Sequence, residues 1–307
     1  MNIPWTEKYR PSTFENIILE ENNKNLLENI IQENRFTNLL FHGPPGTGKT
    51  TTIINLINKY QQKYNQVSKS LIIHLNASDE RGIEIIRNNL YNFVNSDCLF
   101  NKGTKFIILD EVDYMTRTAQ LALKCLIQEY NNNIKYCLIC NYISKIELSL
   151  QNEFIQIRFN ELGINNIYNY LKNILDIENK QLSNNKLHDI IKYYDYDLRS
   201  MINYIQSNID NTINIPKNNI YKILYQHNIN KNIIDFSKIL IKYENKYYIN
   251  KSLILKNYLF YILENYSNHI TLDFYPIFEY IIHNIDNIDN NNYILEYIYY
   301  FIKKIFK

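Results

Sequence analysis

Eight consecutive residues, Gly43-Pro44-Pro45-Gly46-Thr47-Gly48-Lys49-Thr50, constrain this chain more than any other stretch. They satisfy G-x-x-x-x-G-K-[ST] in full. The apolar run 38–42 before them reads as a buried strand, and 51–57 after them is apolar at helical spacing. Strand, glycine loop and helix form a phosphate cradle, because glycines let successive backbone N–H groups close around phosphate oxygens. The helix N-terminus adds partial positive charge at the same point. In such a loop Lys49 reaches the β- and γ-phosphates, and the Thr50 hydroxyl is a ligand for Mg²⁺.

The rest of the first half follows from that anchor. Residues 70–76 read as a strand, 77–82 as a loop, and 83–94 as helical. In 105–111, four apolar residues end in Asp110-Glu111, the pattern in which a buried strand delivers one acid to the Mg²⁺ shell and the next to the attacking water. A helix follows from near Thr116, with Thr116 or Thr118 as its cap and Leu121, Leu123 and Leu126 on its apolar face. Residues 135–141 form another buried strand, which ends at Asn141 and brings that side chain beside the γ-phosphate. Residues 154–159 are the last strand. Alternating strands and helices predict a mostly parallel α/β sheet.

From residue 161 onward the strand signals stop. Leu187, Ile190, Ile191 and Tyr194 share a helix face, as do Leu198, Met201, Ile202 and Ile205. Residues 195–199 can cap the second of these helices. The polar stretch 208–219 is a candidate linker. Helices are predicted over 232–243, 251–266, 272–285 and 293–306, the last apolar nearly all round and so suited to meeting another subunit. The first 17 residues, with Pro4 and Pro11, read as an ordered extended arm. Its aromatic and basic residues suit either packing on a base or anchoring the arm.

Composition excludes several classes. A formal charge of +2 leaves nucleic-acid contact to a local patch. The excess of Asn, Ile, Tyr and Lys, with 28 Tyr and only 6 Gly, is the mark of AT-rich codons. The polar N-terminus does not read as a signal peptide, and no apolar run reaches the roughly 18 residues of a membrane span. The four cysteines (98, 125, 137 and 140) read as free thiols of an intracellular chain. Cys137 and Cys140 have metal-like spacing, but on a strand they point to opposite faces, and no second pair completes a site.

Taken together, these motifs resemble the small subunits of replication factor C, the AAA+ sliding-clamp loaders. Residues 4–11 (Pro-Trp-Thr-Glu-Lys-Tyr-Arg-Pro), 75–83 (Leu-Asn-Ala-Ser-Asp-Glu-Arg-Gly-Ile), 109–120, 140–146 (Cys-Asn-Tyr-Ile-Ser-Lys-Ile) and Asp197-Leu198-Arg199 each match a family box, in order. The matches cover residues 4–202. The resemblance implies a P-loop NTPase core over 1–160, a helical lid over 161–213, and an all-α collar over 214–307 that joins subunits into a five-membered ring. It implies ATP and Mg²⁺ as cofactors, and a sliding clamp, primer–template DNA and sister subunits as partners. The setting it implies is nuclear, or a viral replication compartment. Tyr9, Arg10 and Pro11 would then lie by the adenine. Gly43, Pro44, Pro45, Gly46, Thr47, Gly48, Lys49, Thr50 and Thr51 would hold the phosphates, with Thr50 and Asp110 on the metal. Glu111 would orient water, and Asn141 and Arg199 would sense the γ-phosphate. Arg81, Arg87, Thr116 and Arg117 would face DNA, and Phe93 with residues 98–100 would face the clamp.

One position departs from the pattern. Where the family carries Ser-Arg-Cys, whose arginine reaches into the neighbouring subunit's ATP site, this chain has Asn152-Glu153-Phe154. An arginine finger is worth about 10³–10⁵ in rate in related phosphoryl transfer, and a carboxylate cannot replace it. Two other readings share the nucleotide motifs: a ring scaffold that binds ATP without turnover, and a different AAA+ DNA-processing machine.

Overall fold

The computed structural model describes residues 3–78, 90–96, 103–129, 133–194, 196–208, 218–267, 270, 274–284 and 292–306. These divide into two compact units, Met1–Ser207 and Asn208–Lys307.

The first unit is built on five parallel strands: β1 (Leu39–His42), β2 (Ile72–Asn76), β3 (Lys105–Asp110), β4 (Ile134–Cys140) and β5 (Ile155–Arg158). Their spatial order is β2-β3-β4-β1-β5, so β1 sits between β4 and β5 rather than beside β2. The pairing brings His42 level with Cys140, and Asp110 level with Asn76. All strand C-termini therefore reach one edge of the sheet, where ligands of open parallel sheets bind.

In the three central strands, β1, β3 and β4, both faces are buried, which is why these read as unbroken apolar runs. One face carries Leu39, Phe41, Phe106, Ile108, Cys137 and Ile139, covered by α2 (Glu21–Gln32) and α3 (Lys49–Lys63) through Leu27, Ile31, Ile53, Leu56 and Tyr60. The other carries Leu40, Ile107, Leu109, Tyr136, Leu138 and Cys140, covered by α5 (Arg117–Glu129) and α6 (Leu148–Gln151) through Ala119, Leu123, Ile127 and Leu150. Cys137 and Cys140 thus lie on opposite faces, as the strand period requires, and among the described residues no three His, Cys, Asp or Glu side chains gather as metal ligands.

The N-terminal arm is not wholly extended. Trp5–Lys8 forms one helical turn, α1. The N–H groups of Glu7 and Lys8 both donate to the Pro4 carbonyl, at 3.0 and 2.9 Å. Pro4 carries the φ of −54° that proline imposes, and Pro11 keeps the turn from continuing. A second short helix, α4 (Tyr91–Asn95), precedes β3. The unit ends in three helices, α7 (Ile164–Ile177), α8 (Asn184–Tyr193) and α9 (Leu198–Asn208), the last capped by Asp197.

The second unit is helical among its described residues: α10 (Asn218–Asn230), α11 (Ile233–Tyr247), α12 (Lys251–Asn265), α13 (Phe274–Asn284) and α14 (Asn292–Ile305). Asn232 caps α11 by accepting from the Asp235 N–H at 2.9 Å. The Tyr299 hydroxyl donates to the Lys231 carbonyl at 2.6 Å and ties α14 to the α10–α11 turn. Sequence periodicity passes over α10, because its flank is the polar stretch that reads as a linker. No described helix is long and apolar enough to cross a membrane.

Candidate functional site

The glycine loop needs three backbone conformations that only glycine adopts without strain. Gly43, Gly46 and Gly48 have φ of 144°, 76° and 86°. A Cβ on Gly43 would stand 2.0 Å from the Phe159 carbonyl oxygen, and one on Gly46 would stand 2.2 Å from Asp197 Oδ1. Next to Gly48 no atom lies within 4 Å of where a Cβ would be. Because Gly48 begins α3 without a side chain, it offers no cap to the first N–H groups of that helix, which leaves them suited to an anion.

Lys49 is buried beneath the loop. Its Nζ donates to the carbonyls of Gly43 and Pro44, each at 2.7 Å. An ammonium has three donors, so one remains for a phosphate. Burial pulls the Lys49 pKa down, and the negative charge of Asp110 opposes that most strongly among its neighbours. The Thr50 hydroxyl donates to Asp110 Oδ2 at 2.7 Å, while Asp110 Oδ1 accepts from the Glu111 N–H at 2.9 Å. A hydroxyl and a carboxylate converging beside the loop are the donor set of a hard, oxygen-seeking cation such as Mg²⁺.

Glu111 has φ of 55°, a left-handed conformation rare for a side chain of its size. It lines a cleft of about 270 Å³ together with Arg10, Lys49, Asp110, Asn141 and Arg199. The sheet brings Asp110 and Asn141 to the loop, although 60 and 91 residues separate them from it in the chain. Leu198, Arg199 and Ile202 enter from α9, whose cap Asp197 touches Gly46.

Arg10 and Pro11 line the cleft, but Tyr9 is turned away from it. The Tyr9 hydroxyl donates to Glu178 Oε1 at 2.6 Å, and the same oxygen accepts from Lys8 Nζ at 2.7 Å. The Tyr170 hydroxyl donates to the Tyr9 carbonyl, and the Trp5 N–H donates to Gln206 Oε1. Arg10 Nε donates to the Thr51 hydroxyl at 3.0 Å, so Thr51 is a fastening point for the arm. Asn55 Nδ2 reaches the Pro11 carbonyl at 2.8 Å. Lys8 and Tyr9 thus anchor the arm, while Arg10 and Pro11 line the cleft. Glu178, Tyr170 and Gln206 carry no local signal that could have disclosed this role.

Of the residues expected at DNA, Thr116 caps α5 by accepting from the Ala119 N–H at 3.3 Å. Arg117 is exposed and paired with Glu147. Arg81, Arg87 and residues 98–100 lie outside the described residues. Phe93 is half-buried against the core, with the Lys105 ammonium 5.3 Å from the centroid of its ring. Glu153 is half-buried and accepts from Gln128 Nε2 at 2.7 Å.

Comparison with known proteins agrees with the geometry. Residues 39–162 match the family described as ATPase family associated with various cellular activities (AAA). The chain is 37% identical to replication factor C subunit 5 of Mus musculus and to replication factor C subunit 3 of Saccharomyces cerevisiae, each over 67% of this chain and 60% of the relative. It is also 37% identical to a probable replication factor C subunit 5 of Dictyostelium discoideum, over 72% of this chain and 64% of the relative. The chain thus spans less than two thirds of the length of these relatives. A solved RuvB structure from Thermotoga maritima shares the fold, with a TM-score of 0.55 and 15% identity over 83% of this chain and 91% of that one. The chain is similar to replication factor C small subunits over about two thirds of its own length, and the stretch that matches the AAA family lies within its first compact unit.

Proposed function

We propose that this chain is an ATPase subunit of a hetero-oligomeric ring that loads a sliding clamp onto primer–template DNA in replication. The observation that carries the reading is the convergence of Lys49, the Thr50–Asp110 pair, Glu111, Asn141 and Arg199 on one cleft, in a chain similar to replication factor C subunits. In this reading the loop residues 43–51 hold the phosphates of ATP, and Thr50 and Asp110 hold Mg²⁺. Glu111 orients the attacking water, while Asn141 and Arg199 face the γ-phosphate. Arg10 and Pro11 border the base. ATP supplies the phosphoryl group that water accepts, and Mg²⁺ neutralises the charge that develops on it. Residues 1–160, 161–213 and 214–307 act as core, lid and collar.

Glu153 gives the reading its particular form. Held by Gln128 where relatives of this kind carry an arginine, it donates no finger to the next subunit. The chain therefore borrows a neighbour's arginine for its own site and leaves the following site degenerate. DNA is held by Arg81 and Arg87 with the Thr116–Arg117 end of α5. Removing both Arg81 and Arg87 should flatten the salt dependence of DNA binding. The setting of such a role is the nucleus or a viral replication compartment.

The test is ATP turnover by the chain alone and mixed with its partner subunits, with and without clamp and primed DNA. Turnover that appears only in the mixture and is lost on Glu111→Gln supports the reading. Turnover unaffected by Glu111→Gln, with ring assembly lost on Lys49→Ala, would instead make the site a structural nucleotide clamp, a reading that Glu153 favours.

A further inference from the structure

Asp113 is a buried carboxylate that the nucleotide chemistry above does not use. It is only 6% exposed, and it sits on a single 3-10 turn, Val112–Tyr114, directly after Glu111. Its Oδ2 accepts from two successive backbone N–H groups, those of Asn141 at 3.4 Å and Tyr142 at 3.3 Å. Its Oδ1 is buried with no hydrogen-bond partner. Leaving half of a carboxylate unsatisfied in the interior is costly, so a group in this position calls for a reason.

The backbone on either side supplies one. Asp110 Oδ1 holds the Glu111 N–H, the Glu111 carbonyl accepts from the Tyr114 N–H at 3.0 Å, and the Val112 carbonyl accepts from the Met115 N–H at 3.0 Å. Residues 110–115 are thus a stiff turn that carries Glu111 at one end and Asp113 near the other. The far side of the contact is the backbone that leaves β4, which carries Asn141. β3 and β4 are paired only as far as Leu109 and Leu138. Beyond that point the Asp113 carboxylate continues the connection between the two strand ends. Two adjacent N–H groups aimed at one oxygen make a small anion-binding concavity, a contact that depends on negative charge. The same charge is felt at Lys49, where it opposes the lowering by burial, and at Cys140, where it adds to burial in raising the thiol pKa.

We propose that Asp113 is a positioning residue that locks the strand end carrying Asn141 to the turn carrying Glu111, so that the two side chains reach the cleft as one unit. The proposal rests on the ATPase reading, and the measurements are chosen to separate the two. Asp113→Ala removes the clasp. Asp113→Asn keeps one oxygen to accept from the two N–H groups but removes the charge. In the assembled, DNA-stimulated complex, Asp113→Ala should lower the turnover number by about tenfold or more, the scale of one lost charge-assisted hydrogen bond. The affinity for a fluorescent ATP analogue should stay within about threefold, because the phosphate loop is untouched. Asp113→Asn should recover part of the turnover. Amide hydrogen exchange at Asn141 and Tyr142 should speed up by about tenfold or more in Asp113→Ala and by less in Asp113→Asn.

Exchange is read without turnover, so it still decides the point if the wild-type complex proves inactive and the ATPase reading falls. If Asp113→Ala does not fold, faster exchange in Asp113→Asn carries the test. Exchange at Asn141 and Tyr142 unchanged in every variant that folds overturns the proposal. So does a turnover number within twofold of wild type, or a loss of turnover matched by an equal loss of nucleotide affinity.

Discussion

Substituting alanine for Gly46 tests how the glycine loop is held against the helical end of its unit. Two costs can be worked out from the structure. With φ of 76°, alanine pays the left-handed penalty of about 1–2 kcal/mol. Its Cβ would also stand 2.2 Å from Asp197 Oδ1, roughly 1 Å closer than carbon and oxygen pack, so the carboxylate must move. Moving it disturbs the cap it provides to α9, where it accepts from the Arg199 N–H at 3.0 Å and the Ser200 hydroxyl at 2.6 Å. Losing a cap costs about 1 kcal/mol. The total is about 2–3 kcal/mol, or a fall of about 1 M in urea midpoint at a slope of about 2–3 kcal/mol/M. The chain's single tryptophan, Trp5, is buried in the same unit and reports its unfolding by fluorescence. Asp197→Ser keeps a capping oxygen on a shorter side chain and alone should be nearly neutral. In the double variant it should return about 1 kcal/mol, leaving only the backbone penalty. A Gly46→Ala midpoint equal to wild type, or strictly additive effects in the double variant, would refute the reasoning.

The clasp of the arm has a pH signature. Hydrogen bonds from Lys8 and Tyr9 hold the Glu178 carboxyl below the usual carboxylate range, so its contribution is complete above that range and is lost as pH falls through the lowered value. Trp5 emission followed through acid titration should show an arm-release transition that Glu178→Gln abolishes; identical titrations of the two proteins would exclude this role for the clasp. Thr50→Val removes the hydroxyl that meets Asp110 and should reduce Mg²⁺-dependent nucleotide binding by about tenfold, with a stability loss of only about 1 kcal/mol. Calorimetry with and without Mg²⁺ checks this, and undiminished Mg²⁺ dependence would count against Thr50 as a ligand. Burial pushes the thiols of Cys137 and Cys140 up, the latter to about 12, whereas Cys125 is exposed. A maleimide near pH 7 should therefore modify Cys125 and reach the other two only after denaturation, as peptide mass mapping would reveal.

What the sequence determined by itself is the part of this protein whose chemistry needs neighbours along the chain. A phosphate cradle is made of consecutive backbone N–H groups, so Gly43, Gly46, Gly48, Lys49 and Thr50 must be contiguous. Asp110 and Glu111 must follow an apolar strand because that strand delivers them. Burial on both sheet faces writes itself into 105–110 and 134–140 as unbroken apolar runs, and those strands were legible to within a residue. Tertiary structure alone decided the rest. The insertion of β1 between β4 and β5 depends on crossovers over helices, and hydrophobic period carries no record of them. The helical turn at Trp5–Lys8 and the helix Asn218–Asn230 went unread because one is too short to show a period and the other adjoins a polar stretch. The turning of Tyr9 away from the cleft toward Glu178, the seating of Asp197 on Gly46, and the hold of Asp113 on Asn141 join residues between 28 and 169 positions apart. Such contacts arise when the sheet and helices close on one another, and nothing local in the chain announces them.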